Sequence, residues 1–431
     1  SGVETAPHLA APDRGGSGFD AELRITGAVT RRGEAQAVDL QVLDRRSGMV
    51  LFTLARTRPA ASEAGFPDEV AETLAGYLKC ALEDRRSSRR RMEPAVLGLY
   101  LHTCGAVGNP QRMVEFGRRL VEAAPDLAIA HAMYGIAQAH AQDIAATPEE
   151  AAAYLRGARE SGRRAIQLDP RTVKGYLALS ISAPRLAWLE QEENLLKARA
   201  IDPHLSAARV GHLDLLRNVG RVQEAVRLAD QMVASGDPRN LGHARIAQLQ
   251  VAVQADDMAR ARRLAGELIV LDPESADAAR WMLASAGADP AADLVMLRAL
   301  KPERISPTAL ACIQAFLERL TSGAAGQKGL PPACDRAAPA RRIHLLARQG
   351  DLDAAFAEAA RVDAPYVFFY PEMREMRRDP RFMALAARYG LTAYWLKSAR
   401  WPDFCREPDL PYDCRREAEK AQSAAGRAAA A

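Results

Sequence analysis

The residues best able to do covalent chemistry are the six cysteines: Cys80, Cys104, Cys312, Cys334, Cys405 and Cys414. Cys405 and Cys414 bracket a short loop holding Pro408 and Pro411, a placement suited to a disulfide. Such a bridge would contribute about 2–3 kcal/mol through the entropy of the unfolded loop, and only in an oxidising compartment. Cys312 and Cys334 could pair across the Gly-rich segment between them, and Cys80 could pair with Cys104. The alternative is six ordinary buried thiols.

The other reactive side chains form no recognisable constellation. His204 and His212 are eight residues apart, and His131 and His140 nine, so neither pair has the spacing of a helical zinc site. Gly326-Gln327-Lys328-Gly329 lacks the Lys-Ser/Thr ending and the preceding strand of a phosphate-binding loop. No Gly-x-Ser-x-Gly elbow occurs. The acidic residues sit at helix starts, where capping accounts for them. These patterns predict no enzyme, no cofactor, no metal and no catalytic residue.

Charge and hydropathy narrow the partners. A net charge of +4 over 431 residues argues against direct nucleic-acid binding. Arg85, Arg86, Arg89, Arg90 and Arg91 form a basic cluster without aromatic interleaving, which reads as a solvated helix end. No run of 18 apolar residues is present, so membrane attachment would need a helix outside this chain. The chain begins at Ser1, without a signal peptide, and reads as a fragment or processed form.

The elements that must position these residues are mainly helical. Leu168-Asp169-Pro170, Ile201-Asp202-Pro203, Gly236-Asp237-Pro238 and Leu271-Asp272-Pro273 recur with prolines 33, 35 and 35 residues apart. Proline cannot continue a helix but starts one well, and a period near 34 is that of a tetratricopeptide (TPR) array. Ala165 and Ala198, each five residues before its proline, fit where helices touch closely. Gly220 opens a turn before Ala225, and Gly350-Asp351 repeats the pattern. The unit between Pro125 and Pro170 is longer, with its extra residues expected around Ile144–Glu149.

Ahead of the array the period becomes two. Leu23, Ile25, Gly27 and Val29, then Val38, Leu40 and Val42, then Val50, Phe52 and Leu54 alternate with polar neighbours. Turn residues at 31–34 and 45–48 separate them, which predicts a three-stranded antiparallel meander with one buried face. A helix over 67–84, with Val70, Leu74, Tyr77 and Leu78 as its stripe, would cover it. The expected organisation is a loose segment at 1–18, a small α+β domain at 19–92, a degenerate TPR α-solenoid at 93–365, and an aromatic-rich cap and tail at 366–431. The stretch from Tyr366 to Tyr412 holds eleven of the chain's 24 aromatic residues. A solenoid needs an atypical end to close its core; a ligand pocket is the other use for such a segment.

The strand meander GAVTRRGEAQAVDLQVLDRRSGMVLFTL (27–54), the covering helix, the degenerate array and the ending YWLKSARWPDFCREPDLPYDC (394–414) together resemble the C-terminal region of proteobacterial winged-helix/TPR transcriptional regulators, the CadC-like class. TPR-bearing adenylate cyclases carry a similar region. The likeness covers roughly residues 20–414, and the tail is its most specific part. The first strand and helix of the family's sheet domain have no counterpart here. The resemblance implies a sensory, protein-interaction region on the periplasmic side of the inner membrane, with a DNA-binding domain and a membrane helix upstream; relatives without that helix are cytoplasmic. It also implies that the first helix of each repeat lines a concave, partner-binding face. That would present Asp214, Arg217 and Gln250 to a protein or peptide, or to a second copy of the chain. A TPR scaffold without signalling and the regulatory region of a nucleotide cyclase are the competing readings.

Overall fold

A computed structural model describes residues 23–59, 65–87, 92–235, 241–271, 276–286, 289–300, 305–322, 327–362 and 364–430. The expected loose segment 1–18, the Gly236-Asp237-Pro238 and Asp272-Pro273 breaks, and the arginine side chains of the 85–91 cluster lie outside them. The architecture is a small three-stranded antiparallel sheet followed by helices, as expected. The chain forms two compact units, residues 1–183 with 200–202, and residues 184–199 with 203–431.

In the first unit β1 (Leu23–Arg32), β2 (Ala35–Asp44) and β3 (Val50–Pro59) lie in the order β1-β2-β3. Gly33 and Gly48 turn the chain with φ of 61° and 71°, values that favour glycine. Asp44 anchors the second turn: its Oδ2 accepts from Ser47 N and Oγ, both at 2.7 Å. Gly27 leaves room for the Leu40 side chain opposite it, since a Cβ there would stand 2.4 Å from Leu40 Cδ2 and make that side chain shift.

Val38, Val42, Phe52 and Leu54 form the sheet's buried face with Leu51. The helix Phe66–Ser87 covers it with Val70 and Leu74, and the helix Pro94–Gly105 adds Leu97, Tyr100 and Leu101. Two expected core positions differ. Val50 is 48% exposed, because a bulge between Val42 and Leu43 shifts the register and puts Leu51 inside instead. Ile25 is 47% exposed, since it lies on the edge strand beyond the cover. Cys80 and Cys104 stand at disulfide distance and join the two covering helices. The buried Lys174 Nζ donates to Tyr100 Oη at 2.8 Å and to the Cys80 carbonyl at 3.0 Å beside them.

The remaining helices of this unit pack on their chain neighbours through small residues. A Cβ on Gly135 would be 3.0 Å from the Ala158 carbonyl and 3.1 Å from Ala178, so helices Ala128–Ala141, Pro148–Leu168 and Val173–Ile181 meet nearly backbone to backbone. Around Ile144–Glu149, where the extra residues of the long unit are expected, a short non-helical stretch at 145–147 leads into the next helix. Thr147 caps a 21-residue helix through Glu150 N, and much of the extra length is helical.

The second unit begins with residues 188–199 of the helix Trp188–Ile201, followed by helices Ser206–Asn218 and Val222–Ala234. Gly220 makes the expected turn with φ of 79°, and Ala225 is buried behind it. A Cβ on Gly220 would lie 2.5 Å from the Phe369 ring and 2.8 Å from Pro402. Gly220→Ala is therefore expected to destabilise this unit by about 2–3 kcal/mol, from the left-handed backbone and the overpacking together. Urea denaturation checks this, with Gly350→Ala as the comparison, where the φ is similar but no atom lies within 4 Å.

The aromatic stretch folds back onto the start of its own unit. Trp395 Nε1 donates to the Val219 carbonyl at 2.9 Å, and Trp188 Nε1 to the Tyr389 carbonyl at 2.7 Å. Asp403 N donates to the Gly220 carbonyl, and Gln223 N to Asp403 Oδ2. Cys405 and Cys414, at disulfide distance, close the loop after this contact.

Candidate functional site

Five elements of the second unit surround a cleft of about 660 Å³. They are helices Leu241–Gln254, Ala276–Ala286, the start of Pro307–Thr321, helix Pro339–Arg348, and the aromatic segment 365–373. Each exposes its lining residues by helical spacing. Asp277 and Trp281 are four apart on one helix face, and Arg341 and His344 three apart on another. Pro365 and Pro371 break the last segment into short turns, which lets Tyr366, Tyr370 and Glu372 all reach the cleft. Cys312 and Cys334, at disulfide distance, hold the wall at 336–338 against the helix Pro307–Thr321.

The charges in the walls are unequally satisfied. His344 Nδ1 donates to Glu372 Oε1 at 2.5 Å, and its ring meets the Tyr370 ring edge-on at 4.9 Å. Burial alone would raise the Glu372 pKa; the His344 hydrogen bond and charge outweigh it and hold the carboxyl below its ordinary value. Asp277 is paired with Arg280 at 3.2 Å. Arg341 lies over the Trp281 ring at 4.9 Å. Its guanidinium has no hydrogen bond or ion pair among the described residues. Burial lowers its pKa, partly offset by Tyr370, Glu372 and Tyr366, yet an arginine remains charged at neutral pH.

Asp214, Arg217 and Gln250 come together, but unequally with respect to the cleft. Arg217 is buried and donates through Nη1 to Gln250 Oε1 and through Nε to Gln254 Oε1, both at 3.0 Å. It stands 3.6 Å from Asp214 Oδ1, under the Tyr366 ring at 5.1 Å and 3.5 Å from Tyr370 Oη. Its donors are thus spent inside the protein, where they position Gln250 and Tyr366. Gln250 lines the cleft, while Asp214 is exposed at the edge of the group.

Arg341, Trp281, His344 and Glu372 are absent from that expectation. One sequence signal could have found Arg341. It follows Pro339 in the first turn of a helix, where the helix dipole disfavours a cation and acidic residues are usual. Among the described residues, no cluster of three or more His, Cys, Asp or Glu side chains could hold a metal ion. No helix among them is long and apolar enough to cross a membrane. Compared with known proteins, the chain matches no family model and no curated protein.

Proposed function

We propose that this chain is the non-enzymatic sensory and protein-interaction region of a one-component transcriptional regulator. It takes a ligand or partner through its helical array and signals to a DNA-binding domain encoded upstream. The observation that carries this is the cleft of about 660 Å³, with apolar walls and a few convergent polar groups. Such clefts are where proteins bind small molecules. The Asp-Pro period near 34 supports a TPR-type array. Three cysteine pairs at disulfide distance support an oxidising, periplasmic setting on the sensor side of the inner membrane.

The mechanism follows from how the cleft is assembled. Its walls come from helices and from a C-terminal segment more than 100 residues away in sequence, joined by Arg217, Gln250 and Gln254 to Tyr366 and Tyr370. A ligand that favours one arrangement of these elements shifts the population toward it. Two measurements test this. The coding sequence upstream should specify a winged-helix domain and one membrane-spanning helix; a cyclase catalytic domain there overturns the regulator reading. Alanine variants of Asp214, Arg217 and Gln250 should weaken partner binding by about tenfold where the side chain is used. Binding equal to the native protein in all three removes them from the site.

A further inference from the structure

We propose that the cleft binds a small organic acid: one carboxylate on an apolar, preferably aromatic body, with Arg341 as the anion anchor. This rests on the reading of the cleft as a ligand site and specifies what it takes.

The argument is one of unmatched charge. Three charged groups other than Arg341 face the cleft from the elements around it: Asp277, the His344–Glu372 pair and, on the exposed rim, Arg336. Asp277 is engaged by Arg280, and Glu372 by His344. Arg341 alone combines a partly buried position with a guanidinium that no described side chain pairs. The guanidinium carbon lies 4.9 Å over the Trp281 ring, and its N–H edges have no partner among the described residues. A carboxylate meets such an edge with two parallel hydrogen bonds. A cationic or neutral ligand would cover the charge without pairing it, which is costly in an apolar site. A dianionic phosphate would bring a second negative charge toward the ionised Glu372 with one partly buried cation to meet it. A monocarboxylate matches the single partly buried charge that no described side chain pairs. The rest of the lining, Trp281, Met282, Ile305, Val253, Val367 and Tyr366, asks for an apolar body.

The test holds the body constant and changes the head group. 4-Phenylbutyrate, 4-phenylbutanol and 4-phenylbutylamine are titrated calorimetrically into the intact chain, in buffer free of carboxylates, alongside linear C6–C10 fatty acids and alcohols. The acids should bind about tenfold or more tightly than their alcohols, with the amine weakest. Arg341→Met should abolish the preference for acid over alcohol while leaving alcohol binding unchanged. Alcohol binding and an unchanged melting temperature show that the variant is folded. Arg341→Lys, which keeps the charge and loses the fork, should fall between. Alcohols or the amine binding as tightly as the acids, or Arg341→Met binding acids as the native chain does, overturns the anchor but leaves the cleft as a site. No binding by any of the compounds, acid or neutral, overturns the cleft reading itself.

Discussion

Glu192→Gln is expected to lower the stability of the second unit by about 3–5 kcal/mol, the usual cost of breaking a buried ion pair from one side. Glu192 is 1% exposed. Its Oε1 accepts from Arg221 Nη1 at 2.5 Å, its Oε2 accepts from Tyr394 Oη at 2.9 Å, and Arg400 Nη1 forms an ion pair with Oε1 at 2.7 Å. His212 Nε2 stands 3.7 Å away. The partners lie on a helix turn, on the helix Leu391–Ser398 and just beyond it, so one carboxylate ties the aromatic C-terminal segment to the start of the unit. An amide keeps the shape but leaves Arg221 buried with only half-exposed Glu224 to neutralise it. Glu224→Gln, at the exposed side of the same arginine, should cost under about 1 kcal/mol. Urea midpoints compare the two variants, and equal effects would place no special weight on Glu192.

The same carboxylate sets a pH dependence. Burial would raise its pKa, but His212, Arg221 and Tyr394 overcome this and bring it to about 2, from an ordinary 4.5. A depressed carboxyl contributes stability above its unfolded pKa and loses it as pH falls. Stability on the order of 3 kcal/mol should therefore be present above about pH 4.5 and disappear toward pH 2. In Glu192→Gln that part of the acid transition should be missing.

Reduction of the cysteine pairs is expected to have the largest effect. The closed loops span 24, 22 and 9 residues. Each corresponds to about 3 kcal/mol of unfolded-chain entropy. The first unit holds one pair and should lose about 3 kcal/mol; the second holds two and should lose about 6 kcal/mol. The Cys312–Cys334 pair also holds a wall of the cleft, so Cys312→Ser with Cys334→Ser should weaken ligand binding as well as stability. A thiol titration on protein exported to an oxidising compartment decides the matter. Near-zero free thiols are expected; six titrating thiols would remove both the stabilisation and the support for a periplasmic setting.

Much of this molecule is determined locally, and local features are what a sequence displays. The meander follows from period-two alternation and from Gly33 and Gly48, whose turns need a left-handed backbone. The helices follow from apolar spacing and from prolines at their first positions, as at Pro110, Pro148 and Pro307. Asp214, Arg217 and Gln250 could be singled out only from the resemblance, which implies that the first helix of each repeat lines a partner-binding face. Their meeting with Gln254, Tyr366 and Tyr370 was not legible. It depends on how two helices and a distant segment rotate against each other, and side-chain periodicity does not encode that rotation. For the same reason Val50 and Leu51 exchanged places: one bulge, set by pairing with β2, reverses which side chain faces the core. The sequence by itself thus determined the elements, their order and the placement of Cys405 and Cys414 at the two ends of one short loop. Only tertiary packing decided that Arg341 would stand on Trp281, sixty residues away, with its charge left open to a cleft.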